Sequence, residues 1–263
     1  LILHNNSPDP GKPLECYTKA IKNSLNNNNL SNAFKTLVLT IPNQNEILNA
    51  NAKLNPIAVQ LACNWLNKEI ANSSREELIE TYLRLYKNSP AKEGMSSISD
   101  RALKNICLFL LASRHDAVTK DLAIKQFHEA TNMTDELSSL QSLDTLDKEL
   151  AEDAIHLFYN KWKNNPLVLD KWFSLQASRN HKRGLSAIKE LTQHESFEIT
   201  NPNRVRAVLG GFSVENTFIF HNEDGTGYEF FIDQVLKVDR VNPSVASRLL
   251  GVFEVVEKLD DHR

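Results

Sequence analysis

Apolar positions recur at intervals of three and four along nearly the whole chain. In 56–71, PIAVQLACNWLNKEIA, two adjacent rows run at a spacing of four: Ile57, Leu61 and Trp65, then Ala62, Leu66 and Ile70. Residues 97–113 align Leu103, Ile106, Cys107, Leu110 and Leu111. Residues 145–162 align Leu146, Leu150, Ala154, Leu157, Phe158 and Trp162. Such stripes bury one face of a helix and leave the other polar. The only strand candidates are TFIF at 217–220 and YEFFI at 228–232, and the second runs on into DQVLKV, where helical spacing returns. The pattern predicts an all-α chain.

Helix starts carry a recurrent mark. Asn-Pro occurs at Asn55-Pro56, Asn165-Pro166, Asn201-Pro202 and Asn242-Pro243. The Asn side chain accepts from free N–H groups of the first turn, and Pro at the first helical position has its φ preset and gives up no useful donor. The last three marks lie 36 and 41 residues apart. A pair of antiparallel helices with its turns needs about 35–45 residues, the period of armadillo and HEAT repeats. A single pair cannot bury its own apolar faces, so pairs stack. The expected fold is an irregular armadillo/HEAT-like α-solenoid of stacked antiparallel helix pairs. NSLNNNNLSN (23–32) reads as a polar connector, and SPAKEGMSSISD (89–100) as a loop with Ser97 or Ser99 capping the next helix.

Composition narrows the function classes. The chain has 263 residues, 41% hydrophobic and 24% charged, with a formal net charge of −3, which fits a globular domain and gives no basic excess for nucleic acid. Eight glycines leave little for Gly-rich phosphate loops. Cys16, Cys63 and Cys107 are far apart and form no C-x-x-C; Cys63 and Cys107 stand in apolar stretches and read as reduced core thiols. That suits the cytoplasm. No apolar run reaches membrane-spanning length, and no membrane partner is expected. LILHNN is too short for a signal peptide. The first residue is not Met, so the chain is read as a piece of something longer.

Candidate chemistry is sparse. His128-Glu129 opens like the zinc peptidase motif H-E-x-x-H, whose two His share a helix face beside a general-base Glu. Asn132 stands where the second His is needed, and in HESFE (194–198) Glu198 stands there. Phe127 and the apolar residues before it are expected to end a helix, with Asn132 or Thr134 capping the next. His128, His156, His181, His194 and His221 make no ligand-spaced pair, and G-x-S-x-G, Walker A and G-x-G-x-x-G are absent. HNEDGTG (221–227) reads as a solvated turn, not a calcium loop. Arg206 lies five residues after Asn201, and Arg248 six after Asn242. Both fall about one and a half turns into a helix that starts the same way. They are either salt-bridged surface residues or a matched pair facing a carboxylate or peptide carbonyl, which the planar guanidinium suits.

KQFHEATNMTDELSSL (125–140), VLDKWFSLQAS (168–178), SFEITNPNRVRAVLGGF (196–212), HNEDGTGYEF (221–230) and NPSVASRLL (242–250) together resemble the C-terminal helical domain of M1 zinc metallopeptidases of the bacterial aminopeptidase N type, and PNQNEI (42–47) is similar to the same domain. The resemblance spans most of the chain and is weakest over the first twenty or so residues.

The resemblance implies a single C-terminal helical domain over 1–263, with the catalytic and β-rich domains of the parent outside this sequence. The parent would hold zinc through H-E-x-x-H and a downstream Glu, bind the substrate amino group through G-x-M-E-N, and remove N-terminal residues from peptides. Neither motif is present here. The chain is therefore expected to supply no catalytic residue, to bind no metal and to be inactive alone. Its partners would be peptide substrates and the catalytic domain of the same polypeptide. Arg206 and Arg248 match family arginines that face the cavity over the active site. Ser244 departs from the family pattern, where a longer polar residue is usual, and the family usually continues with further helices after the point where this sequence reads LDDHR. The alternative is a stand-alone helical scaffold for a protein or peptide partner.

Overall fold

The structure, a computed structural model, describes residues 11–50, 53–88 and 95–260. In chain order its first helices are α1 (Gly11–Asn26), α2 (Asn32–Leu39), α3 (Gln44–Ala50), α4 (Pro56–Ser73), α5 (Arg75–Asn88) and α6 (Met95–Ala112). Then come α7 (Ala117–Glu129), α8 (Met133–Leu146), α9 (Lys148–Trp162), α10 (Pro166–Ser178) and α11 (Leu185–Leu191). A further run comprises α12 (Pro202–Val205), a π-helical turn (Arg206–Gly210) and α13 (Gly211–Glu215). The last elements are α14 (Thr217–Phe220), α15 (Thr226–Asp239), α16 (Pro243–Leu250) and a 3₁₀ helix (Gly251–Lys258). Among the described residues there is no strand, only an isolated parallel bridge between Leu54 and Leu259.

Both strand candidates are helical. TFIF forms α14, with Phe220 N–H donating to Asn216 C=O at 2.9 Å and His221 N–H to Thr217 C=O at 3.0 Å. YEFFI lies inside α15, which buries Phe230, Phe231, Gln234, Val235 and Val238 on one face. A run as short as TFIF fits one helical turn as well as a strand, and among the described residues no strand offers a ladder.

The chain falls into two compact units. The first comprises Leu1–Pro42 and Leu61–His156, the second Asn43–Gln60 and Leu157–Arg263. In the first, α6 packs against α2, α5, α7 and α8. Its stripe holds as expected at Leu103, Cys107, Leu110 and Leu111, all fully buried, with Leu108 beside them. Ser97 and Ser99 lie within α6 and do not cap it, because the helix already begins at Met95. Residues 89–94 of the expected loop lie outside the described residues. Ser31 caps α2 and Asp116 caps α7 through bonds to the N–H of Phe34 and Thr119. Lys35 is buried and donates to the carbonyl of Leu25 at 2.9 Å, capping the last turn of α1.

In the second unit, α10 packs against α11, the 202–215 run and the π-turn within it, and α15 packs against α14 and α16. Phe220 lies at the centre of rings contributed by Phe212, Phe231, Tyr228 and Phe253, most of them edge-on. Such pairings add to the area buried. Residues 43–60 join this core from far away in sequence. Leu54 N–H donates to Lys258 C=O at 3.1 Å, Lys258 Nζ to Asn49 C=O at 2.9 Å, and Thr217 bonds the Gln44 side chain.

All four Asn-Pro marks start helices. Asn165, Asn201 and Asn242 cap α10, α12 and α16 with Pro in the first turn, and Asn55 Oδ1 accepts from Ala58 N–H at 3.0 Å at the start of α4. Two predicted stripes shift. In α4, Leu61 is 54% exposed, while Val59, Ile70 and Ala71 are fully buried. In α9, Leu157 is 54% exposed, while Ala151, Ile155 and Phe158 are buried. Both helices carry two apolar rows, and the neighbouring helices decide which is covered. Cys107 is buried, Cys63 half-buried and Cys16 exposed. Burial pushes the Cys107 thiol up to about 12 and raises that of Cys63.

Candidate functional site

Arg206 opens the π-turn and Arg248 lies in α16; both belong to the second unit, both are exposed, and α16 packs against the π-turn. Arg206 Nη1 makes only a long 3.5 Å contact to Asn203 Oδ1. Neither guanidinium is held in an ion pair among the described residues. The matched spacing after the Asn-Pro caps thus yields two solvent-facing cations on adjoining elements.

A third arginine, Arg204, is the one the fold consumes. It is buried. Its Nε donates to Asp170 Oδ1 at 2.6 Å, its Nη1 donates to the Ser196 carbonyl, and its guanidinium stacks 4.8 Å from the Phe173 ring centre. Asp170 and Phe173 both lie on α10. The spacing match with Arg248 points to Arg206, and nothing in NPNRVR marks Arg204 as the residue to be buried.

QFHEATN has a structural role in the first unit. Phe127 is buried near the end of α7, His128 and Glu129 finish that helix exposed, and Asn132 caps α8 by accepting from Asp135 N–H at 3.0 Å. Gln126 donates to Asn105 Oδ1 and to the Asp135 carbonyl, both at 3.0 Å, and accepts from Tyr82 OH at 3.1 Å. Asp135 in turn takes Lys104 Nζ at 2.6 Å and Asn105 Nδ2 and Asn132 Nδ2 at 3.0 Å. Tyr86 OH donates to Glu129 Oε2 at 2.6 Å. A small cavity of about 80 Å³, lined by Tyr86, Lys104, Gln126, Glu129, Thr131 and Asp135, opens beside this cluster. It has room for a few waters. Burial raises both the Tyr82 and Tyr86 hydroxyls well above the usual tyrosine value, with Tyr86 and then Asp135 and Glu129 adding for Tyr82, and Glu129 and Asp135 for Tyr86, so both stay hydrogen-bond donors.

His194 and His221 are packed against aromatic rings, whereas His115 and His156 are exposed. His194 meets Tyr159, Trp172 and Phe173 at ring-centre distances of 5.4, 5.3 and 5.4 Å. Its Nδ1 accepts from Ser196 N–H at 3.1 Å. Burial, reinforced by Arg204 and opposed by Glu195, holds its pKa below the usual histidine value. His221 Nδ1 meets Tyr228 OH at 2.6 Å. In the acidic turn, Asp224 accepts from both N–H and hydroxyl of Thr226 at 2.9 and 2.7 Å, which starts α15. Among the described residues no group of three or more His, Cys, Asp or Glu is arranged to hold a metal ion, and no helix is long and apolar enough to cross a membrane.

Comparison with known proteins gives a consistent picture. The family described as "Domain of unknown function (DUF3458_C) ARM repeats" matches residues 2–263. The chain is 35% identical over 226 residues to aminopeptidase N of Escherichia coli, covering 86% of this chain and 26% of that protein. It is 33% identical over 229 residues to aminopeptidase N of Haemophilus influenzae, covering 87% of this chain and 26% of that protein. Among solved structures, Legionella pneumophila aminopeptidase A in complex with aspartic acid aligns with a TM-score of 0.83 and 27% identity, over 93% of this chain and 30% of that one. The chain thus spans between a quarter and a third of the length of these relatives.

Proposed function

Because the chain belongs to the DUF3458_C family of ARM-repeat domains, we propose that it serves as the C-terminal helical domain, over 1–263, of a cytoplasmic zinc aminopeptidase of the M1 family. The parent removes N-terminal residues from peptides. The donor set among the described residues does not fit a zinc site, so in this reading the metal and its ligands belong to a preceding catalytic domain of the same polypeptide. What this chain contributes is enclosure and contact. A helical wall over the active-site cavity excludes bulk water and large folded proteins, which strengthens electrostatic interactions inside. Arg206 and Arg248 hold the tail of the peptide beyond the cleaved residue, through its carbonyls or its terminal carboxylate.

The observation that carries this reading is the state of the two arginines. Both are exposed on adjoining elements, and among the described residues neither is paired with an acid, whereas Arg204, two residues from Arg206, is buried in an ion pair. Two exposed cations on adjoining elements are suited to a ligand.

The test is kinetic. In the full-length polypeptide, Arg206→Ala or Arg248→Ala should raise KM for peptides of three or more residues about tenfold, the weight of one hydrogen bond to a charged group. Single-residue amides, which have no tail, should be unaffected. Equal effects on both substrate classes overturn the tail-contact role. The isolated chain should neither retain stoichiometric zinc after dialysis nor cleave aminoacyl amides. A reading frame with a start codon just before Leu1, and no H-E-x-x-H or G-x-M-E-N, would favour the scaffold instead.

A further inference from the structure

The run 202–215 is helical throughout but changes pitch in the middle, where Arg206–Gly210 form a π-turn between α12 and α13. A π-turn holds an extra residue and weaker geometry than an α-turn, and it persists where the surroundings impose it. Here both flanks are fixed on one face of α10. On the N-terminal side, Arg204 bonds Asp170 at 2.6 Å and stacks over Phe173 at 4.8 Å. On the C-terminal side, Gly211 lies so close to α10 that a Cβ there would stand 3.2 Å from the Ser174 carbonyl and 3.4 Å from Ala177 Cβ. Asp170, Phe173, Ser174 and Ala177 follow the i, i+3, i+4, i+7 spacing of a single helix face. The π-turn is what remains between two anchors set by α10.

This arrangement aims Arg206. Two residues along a helix correspond to a rotation of about 200°. With Arg204 clamped inward on α10, Arg206 must project outward, and its exposure agrees with that. We infer that Arg204 and Asp170 are positioning residues for Arg206: their buried pair pins the first turn and so fixes the backbone from which the exposed Arg206 side chain projects. Arg206 then meets a ligand from a held backbone, and less ordering is needed on binding. The ligand is the peptide tail named above, and in that respect the inference rests on the proposed function. The pinning itself does not.

The experiment uses the full-length polypeptide with Asp170→Asn, which keeps the shape and removes the charge. Two quantities are read: amide hydrogen exchange across 205–210, and KM for a peptide and for a single-residue amide. Exchange should quicken across the π-turn, and KM for the peptide should rise about tenfold, with kcat and the single-residue amide unchanged. Added to Arg206→Ala, Asp170→Asn should raise peptide KM no further, since both act through one guanidinium. Additive effects, or unchanged exchange, overturn the inference. If Arg206→Ala alone leaves peptide KM unchanged, the substrate-contact reading fails, and exchange in Asp170→Asn decides the pinning by itself. Should Asp170→Asn not fold, Gly211→Ala perturbs the opposite anchor by a few tenths of an ångström, and the same exchange and kinetic outcomes apply.

Discussion

Lys104 and Asp135 form an ion pair of 2.6 Å with both side chains almost completely buried. Asp135 is also held by Asn105 and Asn132. Such a pair is weak evidence of net stability, but removal of one partner strands the other charge in the core. Lys104→Met is expected to lower unfolding free energy by about 3–5 kcal/mol, read by urea denaturation. The double variant Lys104→Met/Asp135→Asn should lose clearly less than the sum of the two singles. Additive losses would show that the pair is not coupled.

Gly227 has no room for a side chain. A Cβ there would stand 2.5 Å from the Ile219 carbonyl and 2.6 Å from that of Phe220, both backbone atoms that cannot swing away. Gly227→Ala must separate α14 from α15 and disturb the rings around Phe220. We expect a loss of more than about 2 kcal/mol, in the range of overpacked or strained sites, seen as a lower Tm. Gly210, with nothing within 4 Å of a built Cβ, should accept Ala with little change.

His194 links stability to pH. Burial among Tyr159, Trp172 and Phe173, with Arg204 adding to it, keeps its folded pKa below the unfolded value of about 6.5. Above that pH both states are neutral and contribute nothing to the slope. As pH falls through about 6.5 the unfolded chain takes up the proton first, so stability declines until the folded pKa is passed. Denaturation midpoints from pH 7 to pH 5 should fall more steeply for the natural chain than for His194→Phe. Parallel slopes would dismiss His194 as the source.

Asn201 accepts from the N–H groups of Asn203 and Arg204 at 3.0 and 3.3 Å. Asn201→Ala should cost about 1 kcal/mol, and Asn201→Asp, which also accepts and favours the helix N-terminus, should cost little. Comparative denaturation of the two variants checks this.

Local grammar in the sequence was legible wherever a residue acts on its own backbone. The Asn-Pro starts and the boundary at Asn132 are of this kind, because capping depends on two or three adjacent residues. Choices that depend on partners far along the chain were not. Leu61 and Leu157 belong to apolar rows yet stay exposed, since their neighbours cover the alternative row. Lys104, Asn105, Gln126 and Asp135 look like ordinary surface residues until α6, α7 and α8 bring them together. Arg204 and Arg206 are alike in NPNRVR, and only Asp170, 34 positions away, tells them apart. The solenoid class followed from the helix-pair period and accords with the ARM-repeat family.

The second unit is assembled from two stretches of chain, Asn43–Gln60 and Leu157–Arg263. Its seams join Gln44 to Thr217, Asn49 to Lys258 and Leu54 to Leu259. During synthesis, α3 leaves the ribosome long before any of these mates exists. The first unit can begin to fold as its own segments emerge, while residues 43–60 wait, with Leu48 and Leu54 uncovered, for about 200 further residues to be translated. Because these contacts span so much of the sequence, the seam is expected to be among the last parts of the second unit to form.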